Sequence, residues 1–268
     1  MRGSAVSANA TTESGEEMGE EEGGQRIAPT AALYLQGAAR LVGSLLEGQE
    51  EAFASAAEAV KRSMAKDGLI YLFGTGHSHM LAEEGHYRAG GLACVVPILA
   101  SALMLHEGAK ASTRMERVPG LAELVLSRYP IGAGDVVVVF STSGVNSVPV
   151  EAAKVARAAG ATVVAITSEA YSRQAAQGRE RLADAASIVL DNRVPPGDAS
   201  VTLAEGVRAG PLSTVAGAAL LNALLVEASA RLIAEGGEPP IYVSANTPGA
   251  ARVNAALESR FRARNPHL

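Results

Sequence analysis

Residues 135–147, Asp-Val-Val-Val-Val-Phe-Ser-Thr-Ser-Gly-Val-Asn-Ser, join a run of valines to a run of hydroxyl side chains. The apolar part, 136–140, is typical of a strand buried on both faces of a parallel sheet. Apolar residues recur at helical spacing after it and predict a helix over 148–159. Backbone N–H groups between such a strand and helix lie at the positive end of the helix dipole. The sequence therefore predicts an anion site at residues 141–147, which we call loop two, with phosphate as the favoured anion.

A second strand–loop–helix unit lies upstream and repeats this design. Residues 69–73 form a short apolar run, and Gly-Thr-Gly-His-Ser follows at residues 74–78, which we call loop one. A helix is predicted over 79–89. Glycine turns between a strand and a helix are common, but two in one chain favour a ligand site. The reason is that ligands of open α/β sheets bind outside the carboxyl ends of the strands.

Strands and helices continue to alternate along the chain. Strands are predicted at 69–73, 93–97, 136–140, 162–167 and 187–191. Helices are predicted at 79–89, 120–128, 148–159 and 213–234, with a further pair, broken near Gly48, within 25–66. This alternation predicts an α/β fold, a doubly wound three-layer αβα sandwich around a mainly five-stranded parallel sheet. No linker interrupts residues 25–268, so we expect one domain that starts with the helical pair and ends with an extension, 238–268.

Charge and composition argue against several classes of protein. The formal net charge of −5 resides in residues 1–24, which hold one arginine and six glutamates and almost no large apolar groups. We predict a disordered acidic tail there. The remaining chain has no basic stripe, which argues against a nucleic-acid partner. A single cysteine, no secretory leader and no apolar run of membrane-spanning length predict a cytoplasmic protein without membrane contact.

Three segments resemble the sugar isomerase (SIS) domain family. Loop one is similar to the family's first glycine-serine loop, and loop two to its Ser-x-Ser-Gly phosphate loop. Residues 210–214, Gly-Pro-Leu-Ser-Thr, are similar to a later segment at the ligand site of sugar-phosphate isomerases. The resemblance is strongest to stand-alone bacterial members that are related to phosphoheptose isomerases. It implies a sugar-phosphate ligand and a homodimer or homotetramer with the site near a subunit interface.

The resemblance also implies roles for individual residues. In loop one, Gly76, His77 and Ser78 would contact the ligand. Ser213 and Thr214 would close the pocket from the long helix. The phosphate would be held by six residues of loop two: Ser141, Thr142, Ser143, Gly144, Asn146 and Ser147.

Aldose–ketose isomerisation needs a base that reaches a C–H bond and an acid for the carbonyl oxygen, and Glu and His are the expected types. The catalytic candidates are Glu83, Glu84 and His86, on or near the helix after loop one, and His106, after the second strand. Three of them have a structural alternative. Glu83 and Glu84 could form a solvated helix face, and His106 could lie at a polar helix end.

No cofactor is expected from the motifs, although one spacing permits a metal ion. His79, Glu83 and His86 stand at positions i, i+4 and i+7, which would place them on one face of the helix over 79–89. These are side chains that bind zinc. In addition, Asn192 and Asp198 follow the last strand. They could recognise ligand hydroxyls, or they could belong to an ordinary Pro/Gly turn.

The favoured function is phosphosugar binding with aldose–ketose isomerisation of the bound sugar phosphate. One alternative is a sensor that binds a sugar phosphate without chemistry, and another is an etherase-like lyase that uses the Glu83–Glu84 pair. Residues 25–66 are too short for a DNA-binding helix-turn-helix domain. Neither loop has the Gly-x-Gly-x-x-Gly spacing of dinucleotide-binding enzymes, so a dehydrogenase is disfavoured.

Overall fold

Five parallel strands form the central sheet. The structure, a computed structural model, describes residues 29–268, and the predicted acidic tail of residues 1–24 lies outside the described residues. The strands are β1 (Ile70–Gly74), β2 (Val95–Ile98), β3 (Val136–Phe140), β4 (Thr162–Thr167) and β5 (Ile188–Asp191). They lie in the order β2-β1-β3-β4-β5, and Val136 pairs with both Ile70 and Thr162. The predicted five-stranded parallel sheet is confirmed.

Helices cover both faces of this sheet. The described α-helices are α1 (Pro29–Ser44), α2 (Glu50–Ala65), α3 (His79–Glu84), α4 (Ala109–Met115), α5 (Leu121–Leu126), α6 (Ser147–Ala158), α7 (Glu169–Ala176), α8 (Leu182–Ala185), α9 (Ser213–Ala234) and α10 (Ala250–Phe261). On one face α9 packs against α2 and α3, and on the other α6 packs against α5 and α8. Right-handed crossovers explain the two faces, because the chain moves to one side after β1 and to the other after β3. The predicted α/β three-layer architecture is confirmed.

The core lies between the sheet and these helices. Every residue of β1 and β3 is buried, as the continuous apolar runs predicted. Among the described helices, only α9 has the length and hydropathy to cross a membrane. Half of its most apolar window is buried inside the protein, where Leu220, Leu221 and Leu224 join the core. A core helix of this kind meets the same criteria as a membrane span.

Besides the helices α4, α7, α8 and α10, which were not predicted, two parts of the chain next to the predicted site differ from the sequence-based expectation. The helix predicted over 79–89 ends at Glu84, because Gly85 caps it and Tyr87 adopts a left-handed conformation with a φ of 46°. A β-hairpin that was not predicted, β6 (Ala199–Ala204) and β7 (Val207–Pro211), lies between β5 and α9. Its turn holds Gly206 at a φ of 71°. The hairpin leads directly into the amino end of α9.

The strand order creates a crevice at the carboxyl edge of the sheet. β1 lies between β2 and β3, so the connection after β1 and the connection after β3 leave in opposite directions. Open α/β sheets bind ligands at such a switch point. Loop one follows β1 and loop two follows β3, so both predicted loops flank this crevice.

Candidate functional site

The three segments singled out by the sequence meet at one small cavity. Its polar lining comes from Ser78 of loop one, Ser141 and Thr142 of loop two, Asn192, and Ser213 and Thr214 at the start of α9. Its volume is about 10 Å³, which is room for one water molecule. A sugar phosphate would therefore lie in the open crevice above the cavity and not inside it.

Loop two is shaped by Gly144. This glycine has a φ of 60°, and a Cβ added there would lie 2.6 Å from Thr167 Oγ1. Its N–H donates to Ser141 Oγ at 3.2 Å, and its carbonyl oxygen accepts from Leu182 N at 2.7 Å. A left-handed turn without room for a side chain requires glycine. The Ser-x-Ser-Gly pattern thus has a conformational reason at its last residue.

The outer part of loop two has open hydrogen-bonding groups. Among residues 29–268, no acceptor is hydrogen bonded to the backbone N–H groups of Thr142, Ser143, Val145 and Asn146. The side chains of Ser143, Asn146 and Ser147 are half-buried, and the described residues offer them no hydrogen-bond partner. These groups lie immediately before α6, at the positive end of its dipole. An arrangement of this kind binds an anion.

Loop one has several groups with partners within the protein, although the N–H groups of Thr75, Gly76 and His77 have no acceptor among residues 29–268. An added Cβ at Gly74 would collide with the backbone of Ser78 and His79, so the loop folds tightly back on the strand. The buried Thr75 hydroxyl donates to Glu116 Oε2 at 2.7 Å. The ring Nδ1 of His79 is within hydrogen-bond distance of the Gly76 carbonyl oxygen. His77 is exposed, and Ser78 faces the cavity.

The amino end of α9 is already occupied by a carboxylate. Asp198 Oδ1 accepts from the N–H groups of Leu212 and Ser213, each at 2.9 Å, and its Oδ2 accepts from the Ser213 hydroxyl. The Asp198 carboxylate would repel a phosphate at this helix end, although the N–H groups of Thr214 and Val215 have no acceptor among residues 29–268. Thr214 is exposed beside this cap.

Asn192 is a positioning residue for loop two. It is almost fully buried, and its Nδ2 donates to Thr142 Oγ1 at 3.1 Å while its Oδ1 accepts from Val194 N at 3.2 Å. Each end of the amide has one partner within the protein, and the second N–H of Nδ2 has none among the described residues. Asn192 also lines the cavity, so recognition of a ligand hydroxyl by Asn192 stays a prediction.

Two of the four catalytic candidates lie away from the crevice. Glu84 is paired with Arg88 and accepts from Asn222 Nδ2 at 3.2 Å. Asn222 lies more than two turns into α9, about 13 Å from its amino end. His86 lies close to the backbone of Val95, the first residue of β2, and burial lowers the pKa of its ring. His86 therefore lies about the length of one strand away from loops one and two.

The other two candidates are exposed. Glu83 lies next to His79, whose Nε2 is 3.8 Å from the carboxylate. His106 lies in a turn before α4, and no described residue forms a hydrogen bond with its ring. The sequence could not place these side chains, because the early end of α3 changes which residues share a face.

The spacing that would permit zinc is not realised. His86 lies outside α3, so only His79 and Glu83 remain neighbours. Within residues 29–268, no group of three or more His, Cys, Asp or Glu side chains is arranged to hold a metal ion. These residues do not fit a zinc site.

One carboxylate at the crevice was not predicted. Glu116 directly follows α4, and it contacts loop one and the first turn of α6, which follows loop two. Its Oε2 accepts from the Thr75 hydroxyl of loop one, and its carbonyl oxygen accepts from Val148 N, in the first turn of α6, at 3.0 Å. The only sequence signal was a polar stretch between the second and third strands. Periodicity cannot show that such a stretch folds back over the sheet edge.

Comparison with known proteins gives matches that span most of the chain. The SIS domain family model matches residues 33–168. A UPF0309 protein of Brucella anthropi is 50% identical over 232 residues, which cover 86% of this chain and 95% of that protein. A UPF0309 protein of Brucella melitensis biotype 2 is 50% identical over 214 residues, which cover 80% of this chain and 88% of that protein.

Solved structures with a related fold include a phosphoheptose isomerase and a sugar-phosphate complex. The phosphoheptose isomerase GmhA from Neisseria gonorrhoeae is 22% identical, with a TM-score of 0.46, and 75% of this chain and 95% of that chain are covered. The Vibrio vulnificus NanR protein complexed with ManNAc-6P is 15% identical, with a TM-score of 0.46, over 89% of this chain and 69% of that chain. Both TM-scores lie below 0.5, so the fold assignment depends on the sheet itself and on the family match.

Proposed function

The chain belongs to the SIS domain family, and we propose that it binds a sugar phosphate with the phosphate group against loop two. Membership of the family supports phosphosugar binding in general. The single observation that carries the position of the phosphate is the set of four loop-two N–H groups without an acceptor. Hydrogen bonds from such groups to a phosphate are charge-assisted and strong.

The polarity of the crevice supports one orientation of the ligand. Asp198 already occupies the amino end of α9 and would repel a phosphate there, so loop two is the favoured position for the phosphate. The phosphate then lies before α6, and the sugar extends across the switch point toward Ser78 and the exposed His77. Ser143, Asn146 and Ser147 supply side-chain contacts to the phosphate in this proposal.

We propose aldose–ketose isomerisation as the reaction of the bound sugar phosphate. This reaction moves a proton between neighbouring carbons and requires a positioned acid–base group. The proposal needs such a group at the crevice. Glu84 does not provide it as it is oriented, because it is paired with Arg88 and turned toward Asn222, whereas Glu83 is exposed beside His79 and stays a candidate.

Calorimetric titration tests the binding proposal directly. A panel of aldose and ketose phosphates is titrated into the protein, and each is matched by the same sugar without phosphate. At least one phosphorylated sugar should bind and its unphosphorylated partner should not. Equal binding of both members of every pair, or no binding at all, would refute a phosphate site at loop two. Deuterium entering C1 or C2 from solvent, followed by NMR, then reports the isomerase chemistry.

A sensor that binds a sugar phosphate without chemistry is the second candidate function. The observation that favours it is the placement of Glu84 and His86 away from the crevice. A bound sugar phosphate with no exchange of its C1 or C2 hydrogens would select this function over isomerisation. We further propose a cytoplasmic location and a homodimer or homotetramer, which size-exclusion chromatography with light scattering would test.

A further inference from the structure

Glu116 is the carboxylate that connects loop one to the start of α6. Loop one reaches it through the Thr75 hydroxyl, 2.7 Å from Oε2. The start of α6 reaches it through Val148 N, 3.0 Å from its backbone oxygen. Its side chain is only 14% exposed, so these bonds hold it in one place. Among the described carboxylates, it alone is hydrogen bonded to loop one.

Its hydrogen bonds leave capacity for a proton. Oε2 accepts one hydrogen bond from Thr75, and Oε1 accepts one from Arg117 at 3.1 Å. An ionised carboxylate has about four acceptor sites, so each oxygen keeps one free. Asp198, which is bonded to Ser213 of the cavity lining, differs, because it already holds three donors at the start of α9. Glu116 therefore keeps more free acceptor capacity than Asp198.

The position of Glu116 relative to the donors of loop two also suits a base. A phosphate held before α6 would lie next to Val148, which is bonded to the Glu116 backbone. The Glu116 side chain extends from the start of α6 toward Thr75 of loop one, which is also the direction proposed for the sugar. A carbon near the far end of a small sugar phosphate would come within reach of Oε1 or Oε2.

We propose that Glu116 is the catalytic base of the isomerisation, an assignment that rests on the function proposed above. The carboxylate removes the proton from the carbon next to the carbonyl, and the C–H electron pair forms the C=C bond of an enediol. The carbonyl oxygen takes a proton from water in the open crevice. Glu116 then returns its proton to the neighbouring carbon, the new carbonyl forms, and the hydroxyl proton goes back to water. Atoms and charge balance without an oxidant or a reductant.

The variant Glu116→Gln tests this role. Its amide oxygen can still accept a hydrogen bond from Thr75, but the amide cannot take a proton from the sugar carbon. Deuterium exchange into C1 or C2 of the bound sugar phosphate should fall at least about 100-fold. Affinity for the same sugar phosphate, measured by calorimetry, should change less than about threefold. The matched control is Glu123→Gln, an exposed carboxylate on α5, which should leave both quantities unchanged.

A second variant distinguishes a lost catalytic group from a folding defect. Glu116→Asp keeps the charge but withdraws the carboxylate by one methylene group, so exchange should lie between the wild-type and the Gln values. The acid limb of the pH–rate profile should be present in the wild type and in Glu116→Asp, and absent from the residual rate of Glu116→Gln. A purely structural role would not produce this difference.

The outcomes separate the two proposals. If both Glu116 variants exchange deuterium into the sugar phosphate at the wild-type rate, the role of Glu116 is overturned and the proposal of isomerisation stands. A wild-type protein that binds the sugar phosphate without exchange overturns isomerisation and the base together, and leaves phosphosugar binding intact. A protein that binds no sugar phosphate overturns the proposed function as a whole, including the assignment of Glu116.

Discussion

The two edges of the sheet differ in whether their backbone N–H groups have an acceptor within the protein. At the amino edge, Asp135 stands just before β3 and is only 2% exposed. Its carboxylate accepts from Leu69 N at 2.8 Å, from Gly132 N at 3.0 Å and from Arg264 Nη2 at 2.8 Å. At the carboxyl edge, loop two leaves four backbone N–H groups without an acceptor among the described residues.

This difference predicts which residues support the stability of the fold and which support the binding of a ligand. Donors that are used within the protein hold the fold together, and removing their acceptor is costly. Donors that are left open contribute little to the fold, and they remain available for a ligand. The amino edge should therefore respond to substitution with a loss of stability, and loop two with a loss of affinity. Four experiments test this comparison.

The largest effect is expected at the amino edge. Asp135→Ala leaves two backbone donors and one guanidinium without their buried acceptor, so the free energy of unfolding should fall by about 3 kcal/mol. Urea denaturation measures it. Affinity of the folded protein for its sugar phosphate should stay within about twofold. The control is Glu180→Ala, which breaks an exposed ion pair with Lys154 and should cost less than about 1 kcal/mol. Lost affinity in a folded Asp135→Ala protein would contradict the separation.

A matched pair of glycines compares the two loops. Gly144 and Gly76 have nearly equal φ angles, 60° and 57°, but an added Cβ meets Thr167 Oγ1 at Gly144 and nothing within 4 Å at Gly76. Gly76→Ala should cost about 1 kcal/mol from the backbone alone and leave affinity nearly unchanged. Gly144→Ala should cost about 2 kcal/mol and weaken sugar-phosphate binding at least about tenfold. Equal effects of the two variants on binding would mean that loop one holds the phosphate as well.

The open side chains of loop two should affect binding alone. Ser143→Ala and Asn146→Ala each remove one donor to the phosphate, so affinity should fall about tenfold for each. The free energy of unfolding should change by less than about 0.5 kcal/mol, since neither side chain has a partner among the described residues. Ser127→Ala, at the exposed end of α5, is the control and should change neither quantity. A large loss of stability in Ser143→Ala would show that loop two supports the fold.

The smallest expected effect is a pH dependence of the free energy of unfolding, and it arises from residues away from loop two. Burial lowers the pKa of His86 and, together with the Arg128 charge, that of His267, and the two rings lie 6.2 Å apart. Below the ordinary pKa of about 6.5, the unfolded chain binds protons that the folded chain does not, so stability falls as the pH falls. The urea midpoint should be lower at pH 5.5 than at pH 7.5.

A variant of this histidine pair assigns the pH effect. His267→Gln should reduce the difference between the two urea midpoints, while its affinity for the sugar phosphate stays near the wild-type value at pH 7.5. An unchanged difference in His267→Gln would place the titrating group elsewhere. His77 of loop one is exposed and offers a comparison, since His77→Gln should not alter the pH dependence of unfolding.

Much of the fold could be predicted because buried parallel strands have a strong local signal. Residues 136–140 and 162–167 were predicted as strands with the bounds that β3 and β4 have, and the long helix over 213–234 has those of α9. The hairpin of β6 and β7 was missed, although a tight turn at Glu205 and Gly206 between short apolar runs was a usable signal. Its strands are mostly exposed, so no continuous apolar run marked them.

The site could be predicted only in part. Loop one, loop two and residues 213–214 were singled out from glycine and hydroxyl patterns, and all three line one cavity. The catalytic candidates were chosen as Glu and His side chains near the loops, and Glu83, Glu84 and His86 were expected on or near a helix that continued to residue 89. Because α3 ends at Glu84, His86 lies beside β2, and Glu84 turns toward Asn222.

The strands, the two glycine–hydroxyl loops and their order could be predicted from local sequence, because a buried strand and a left-handed turn each require particular residues locally. Which donors stay open, and which carboxylate joins loop one to α6, depended on the packing of distant parts of the chain. Asp198 occupies the start of α9, and Glu116 reaches Thr75 across 41 residues of chain. The physical reason is that a hydrogen bond between distant residues depends on how the chain crosses the sheet, which no local pattern records.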